Sequence, residues 1–162
     1  MAILNIVKEG DETLRKKCRP VTEITPRIIT LLDDMRETLA SANGVGLAAP
    51  QVGILRRICL VDDGEEVIEL INPEIVETEG EQQGMEGCLS VPDVWGITDR
   101  PMRVKVRALN RHGEEFTAEG EELVARCFCH EIDHLDGVLF TDKAVHILTP
   151  EEVAEMREED EE

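Results

Sequence analysis

The sequence predicts a single α+β domain in which the stretch HEIDH, His130 to His134, lies on a buried helix. Three observations carry that expectation. TPRIITLLDDMRETLASANG has apolar residues at helical spacing between clear start and stop signals. ILRRICLVD, EVIELINPEIVE and RVKVRALN are rich in β-branched residues, partly alternating, and separated by Gly, Pro, Asn or Asp. EELVARCFCHEIDHLDG then returns to helical character. With 162 residues, the chain is long enough for one domain with a sizeable core and too short for two ordinary ones.

In the first helix Thr25 supplies the N-cap and Pro26 the first helical position. Ile28, Leu31, Leu32, Met35 and Leu39 form its apolar stripe, and Asn43 with Gly44 end it. RHGEE reads as a turn leading to a short strand near Phe116 and Thr117. The HEIDH helix is expected to carry Glu121 and Glu122 in its first turn, where acids suit the helix dipole, with Gly137 just past its end. A last helix starts at Thr149, because TPEE combines Pro at the first position with a capping-box Glu152. It runs into the acidic stretch EMREEDEE. There is no internal repeat, low-complexity linker or domain boundary.

Apolar residues make up 41% of the chain but aromatics only 2%, so Ile, Val, Leu, Ala and Met must build the core. The 17 basic and 36 acidic residues give a formal charge of −19, which argues against a nucleic-acid or anionic-membrane surface. Five cysteines, an odd number, and an opening MAILNIVKEG without a secretory apolar core imply a reducing cytosol and free thiols. No apolar run approaches the roughly 20 residues needed to span a bilayer.

On a helix His130 and His134 share a face, with Cβ atoms about 5–6 Å apart, so both imidazoles can reach one metal ion. Glu131 is rotated about 100° away and can lean over an open metal position to hold a water, the logic of H-E-x-x-H hydrolases. The alternative is a pair of hydrogen-bonded core histidines. A catalytic site needs a third ligand and an open position. Downstream the candidates are Asp136, Asp142 and His146; upstream, Cys88 in EGCLSVP could complete a Cys/His/His set or be a small buried hydrophobe. Cys127 lies on the His130 face and suits the cavity wall, while Cys129, Cys18 and Cys59 suit packing. GVGLAAPQVG, Gly44 to Gly53, superficially matches a dinucleotide fingerprint, but it follows a helix and contains Pro50. A tight loop whose backbone approaches a ligand fits better, with Gln51 offering an amide donor.

GVGLAAPQVG, EGCLSVP and HEIDH, in that order and spacing, resemble the signature segments of the peptide deformylase family. The similarity extends through ILNIVKEGDETLRKKC, VKVRALN and LVARCFCHEIDHLDGVLF, most of residues 3 to 143. The resemblance implies mostly antiparallel strands packed around a central helix bearing HEIDH. It implies a catalytic domain over residues 1–148, with 149–162 a C-terminal helix and acidic tail of the same domain. The implied activity is removal of the formyl group from the N-terminal N-formylmethionine of nascent polypeptides, releasing formate. Carried over, Cys88, His130 and His134 hold one divalent metal, commonly ferrous iron, with zinc, nickel or cobalt able to occupy the site. Glu131 is the acid/base, and Gln51 with the Leu89 N–H forms the oxyanion site. Backbone groups of Val45, Gly46 and Gly87 bind the substrate as an added strand. Val45, Leu123, Cys127 and His130 form the methionine pocket.

Trp95 stands near where some relatives carry an arginine, and is either a loop aromatic or part of the substrate wall. The acidic run Glu151 to Glu162 suits solvent rather than ribosomal RNA, so ribosome proximity would be transient and without direct nucleic-acid contact. Rival readings of HEIDH are an endopeptidase and a non-catalytic metal-binding or interaction module.

Overall fold

The structure, a computed structural model, describes residues 2–161, with side chains described through residue 158. The last residue of the acidic run, Glu162, lies outside the described residues. The elements in chain order are α1 (Pro26–Ala42), β1 (Gly46–Ala48), β2 (Ile58–Asp62), β3 (Val67–Glu79), β4 (Gln82–Cys88), β5 (Val91–Arg100), β6 (Arg103–Leu109), β7 (Glu115–Glu121), α2 (Leu123–Leu135), α3 (Phe140–Lys143), β8 (His146–Ile147) and α4 (Pro150–Glu161). Every strand pairing is antiparallel. A five-stranded sheet has the order β1-β2-β3-β6-β7 and a three-stranded sheet the order β4-β5-β8.

The alternation along β2 explains how the larger sheet is covered. Ile58 and Leu60 face Leu32, Met35 and Leu39 of α1, while Cys59 and Val61 face Ala125, Phe128, Ile132 and Leu135 of α2. The sheet thus lies between the two helices, and α2 is buried along most of its length. Cys18, Cys59 and Cys129 pack in the core on the α2 side, and all five cysteines are free thiols. On the α1 side, Glu69 of β3 accepts from Arg36 at 2.6 Å and from Arg111 at 2.6 Å, fastening helix, strand and the loop after β6.

The helix signals hold locally. The Thr25 side chain accepts from the Ile28 N–H, and Asn43 ends α1 in the left-handed region at φ 54°. Thr149 and Glu152 bond reciprocally at 3.1 and 3.2 Å, closing the capping box of α4. Three expectations are corrected. Glu121 ends β7 and Glu122 precedes α2 at φ 53°, so no acid occupies the first turn of that helix. GVGLAAPQVG is not a loop throughout, because Gly46–Ala48 joins the edge of the large sheet and Ala49–Val52 forms a 3₁₀ turn. Trp95 lies in strand β5 rather than a loop, where β4 and β5 form a long hairpin.

That hairpin is irregular where it matters. Glu86 opposes Gly96 but Cys88 opposes Val91, so residues 92–95 have no partners in β4. Pro92 is tolerated in this unpaired stretch. The bulge sets Cys88 at the end of β4, facing α2 across the seam between the two sheets.

Candidate metal centre and its pocket

Cys88, His130 and His134 converge: one donor atom from each lies within 4.8 Å of the others. Cys88 Sγ is 3.3 Å from His134 Nε2, and the two imidazoles sit edge-on with centroids 4.9 Å apart. His130 Nδ1 meets Glu86 Oε2 at 2.6 Å, which leaves its other ring nitrogen for the cluster. His134 Nδ1 is buried with no partner among the described residues. The other ligand candidates are committed elsewhere. Asp136 pairs with Arg57, Asp142 with Arg15, and His146 with Glu152.

Glu86 anchors a buried polar network that sequence reasoning passed over. It accepts from Arg100 Nη2 and Thr98 Oγ1, both at 2.8 Å, and from Arg126 Nη1 at 3.3 Å. Arg100 in turn reaches Asp133 at 2.8 Å. Burial opposes the charge on Glu86, but His130 and Arg100 outweigh it and hold the carboxyl well below the ordinary carboxylate range. Burial likewise opposes charge on His130, and Glu131, Cys88 and Glu86 overcome it to raise its pKa. His134 is pushed down to about 3, by burial first and then by His130. A signal for this network did exist: Glu86 sits two residues before Cys88 in one strand, and Arg126 lies four before His130 on one helix.

Glu131, 3% exposed, sits beside this cluster with Oε1 unpartnered among the described residues. Burial is the largest influence on its carboxyl and pushes it up to about 7. Gly46 explains how the loop comes so close. A Cβ there would stand 2.3 Å from Glu131 Oε2 and 2.7 Å from Cys127 Sγ, so only glycine fits. Cys127 is turned toward the Val45 carbonyl at 3.3 Å, and burial pushes its thiol pKa up.

Gln51 is buried and fixed at both ends of its amide. Oε1 accepts from the Ala48 N–H at 2.9 Å, and Nε2 donates to Ser90 Oγ at 3.1 Å while facing Cys88 Sγ at 3.5 Å. The N-terminal segment clamps the neighbouring backbone, with Val7 N–H donating to Gln51 O and Glu9 N–H to Ser90 O.

A cavity of about 370 Å³ opens over the cluster. Val45, Gly46, Gln51, Gly87, Cys88, Leu89, Leu123, Cys127, His130 and Glu131 all line it; His134 does not. Val45 and Leu123 are exposed at its rim. Trp95 is part of the wall, its ring so close over Gly87 that a Cβ there would fall 2.5 Å from it. Met85, Glu86 and Arg126 and the segment from Val91 to Val94 add lining that sequence patterns do not point to. Two imidazoles and a sulfur could hold a metal ion, and as only three protein donors they would suit a catalytic rather than a structural site. A buried carboxylate next to it, with one oxygen unpartnered among the described residues, suits proton transfer.

Known proteins share this sequence and fold. The family model described as polypeptide deformylase matches residues 3–149. A peptide deformylase of Acetivibrio thermocellus is 58% identical over 158 residues, covering 98% of this chain and 93% of that protein. One of Thermoanaerobacter pseudethanolicus is 57% identical, covering 98% and 99%. The crystal structure of peptide deformylase from Thermotoga maritima superposes with a TM-score of 0.85 at 41% identity, over 88% of this chain and 97% of that one. An actinonin-bound class I type b peptide deformylase from Acinetobacter baumannii gives 0.83 at 36% identity, over 88% and 99%.

Proposed function

The chain belongs to the polypeptide deformylase family, metal-dependent hydrolases that remove the formyl group from the N-terminal formylmethionine of nascent polypeptides, and from that premise we propose how its own residues divide the work. Cys88, His130 and His134 hold one divalent ion, ferrous iron in the native enzyme, with zinc, nickel or cobalt able to take its place. The donor chemistry supports the fit, since a thiolate with two imidazoles suits borderline first-row metals and Glu86 fixes one ring. Bound there, such an ion supplies the Lewis acidity that makes water nucleophilic near neutral pH.

Glu131 takes the proton from the attacking water and passes it to the amine nitrogen as the C–N bond breaks, leaving formate and a free N-terminus. Its carboxyl, raised to about 7, is matched to both halves of that transfer. Gln51 Nε2 and the Leu89 N–H face the negative charge that grows on the formyl oxygen; the Gln51 amide, held at both ends, needs no reorientation. Backbone groups of Val45, Gly46 and Gly87 hold the peptide as an added strand. Val45, Leu123, Cys127 and His130 enclose the methionine side chain. Residues 149–162 belong with the catalytic domain 1–148, a reading supported by Glu152 pairing with His146 at 2.9 Å and by Arg157 over the Trp95 ring at 5.7 Å. Nascent chains as substrates imply work in the cytoplasm near the ribosome, and the charge of −19 disfavours direct contact with RNA. No described helix is long and apolar enough to cross a membrane.

The observation that carries this reading is the buried Glu131 carboxylate, its Oε1 without a partner among the described residues, beside three convergent donors. Anaerobic purification, metal analysis and formate release from an N-formyl-Met peptide test it. Glu131→Gln is expected to keep its metal and lose at least ~10²-fold in kcat, as for a lost general base. Most activity surviving at full metal occupancy would overturn the assignment.

A further inference from the structure

The cavity wall is apolar around Met85, Leu123 and Cys127, yet Arg126 also lines it. Arg126 is 6% exposed and lies on α2 one turn before His130. All of its side-chain bonds are made by one nitrogen: Nη1 donates to Gly84 O, Glu86 Oε1 and Thr98. Nε and Nη2 donate to no acceptor among the described residues. Gly84 makes the close approach possible, because a Cβ there would stand 2.8 Å from Nη2. Glu86 and Asp133 together balance Arg100 and Arg126, so the unbonded edge asks for a neutral acceptor rather than an anion.

We propose that Arg126 is a specificity-determining residue, whose free guanidinium edge lets the substrate side-chain pocket accept N-formyl residues ending in a neutral oxygen acceptor, methionine sulfoxide above all. This rests on the reading that the methionine side chain occupies the pocket at Val45, Leu123 and Cys127. A thioether is a weak acceptor and leaves the N–H edge poorly satisfied. Oxidation at sulfur adds a strong acceptor without lengthening the chain. A site with a waiting donor favours the group that pairs with it. The enzyme would therefore deformylate chains whose first residue has been oxidised.

The test compares kcat/KM for three peptides that begin with N-formyl-methionine, N-formyl-methionine sulfoxide and N-formyl-norleucine. The wild type is set beside Arg126→Met, which keeps length and removes the donors, with metal content and thermal melting measured on the same samples. The ratio of sulfoxide to norleucine turnover is expected to fall about 10- to 100-fold in Arg126→Met, the range for a charge-assisted hydrogen bond, over and above any loss that norleucine itself shows. An unchanged ratio, or an equal fall for all three peptides, overturns the assignment, the latter marking Arg126 as support for Glu86 alone. Leu123→Ala separates the two layers. If it shifts selectivity between norleucine and alanine at the first position while Arg126→Met shifts nothing, only the Arg126 role fails. If Leu123→Ala also leaves selectivity unmoved, the pocket reading itself fails.

Discussion

Replacing Gly46 with alanine puts a methyl group where the Glu131 carboxylate stands. The new Cβ would lie 2.3 Å from Glu131 Oε2, 2.7 Å from Cys127 Sγ and 2.8 Å from Glu131 Cδ. Ordinary contact needs about 3.5 Å, so the carboxylate or the strand must retreat by about 1 Å. The side chains have little room to yield, because Glu131 is 3% and Cys127 5% exposed, both on the same packed helix. A displacement of about 1 Å at a reacting group costs on the order of 10²-fold. Gly46→Ala should therefore lose about 10²-fold in kcat for formate release while keeping its metal, since Gly46 contributes no ligand. Placing the change in a Glu131→Gln background isolates the cause. With the proposed proton-transfer carboxylate already gone, Gly46→Ala should cost no more than a few-fold further. A wild-type kcat for Gly46→Ala, or an undiminished cost in the Glu131→Gln background, would refute the argument that Gly46 serves the position of Glu131.

Two further outcomes follow. Cys88→Ala should strip most of the bound metal and Cys127→Ala should retain it, by metal analysis of anaerobically prepared protein; the reverse would move the third ligand to α2. Acid stability should depend on Glu69. Burial would raise its pKa, but hydrogen bonds from Arg111 and Arg36 outweigh that and hold it below the ordinary carboxylate value. A lowered folded pKa means stability that is present above the unfolded value and is lost as pH falls through the folded one. Glu69→Gln should thus be less stable than wild type near neutrality, with the gap closing in acid. Urea melts across roughly pH 2 to 7 measure this, and a gap independent of pH would show that the ion pairs do not set it.

What was legible in the sequence was what neighbours in the chain decide. The Thr25 cap, the Asn43 stop, the Thr149–Glu152 box and the periodicity of α2 are all local, and each is found in the structure. HEIDH could be placed on a buried helix for the same reason, and the structure brings Cys88 to it. The β4–β5 hairpin was less legible. QQGMEGC alternates poorly and VPDVWGITDR contains Pro and Gly, so their strand character depends on each other and on α2 rather than on propensity. The Glu86 network was missed because its partners lie far along the chain: Arg126 is 40 residues away and His130 is 44. The acids before α2 were misplaced because β7 continues through Glu121 and the chain turns at Glu122 with no intervening loop.

The position of Cys88 on the smaller sheet gives the bound ion a second consequence. Both histidines ride on α2, which packs on the larger sheet, while Cys88 closes the far side of the seam across 46 residues of chain. An ion held by all three is a reversible cross-link, closing a long loop that otherwise relies on side-chain packing and the Glu86 network. Its contribution to holding the sheets together rises with free metal concentration by mass action. A chelator would then act on the molecule as a reductant acts on a disulfide, loosening the architecture at the place where it works. With an ion held in this way, the lifetime of the folded enzyme, and not its turnover alone, would be coupled to the metal supply of the compartment that holds it.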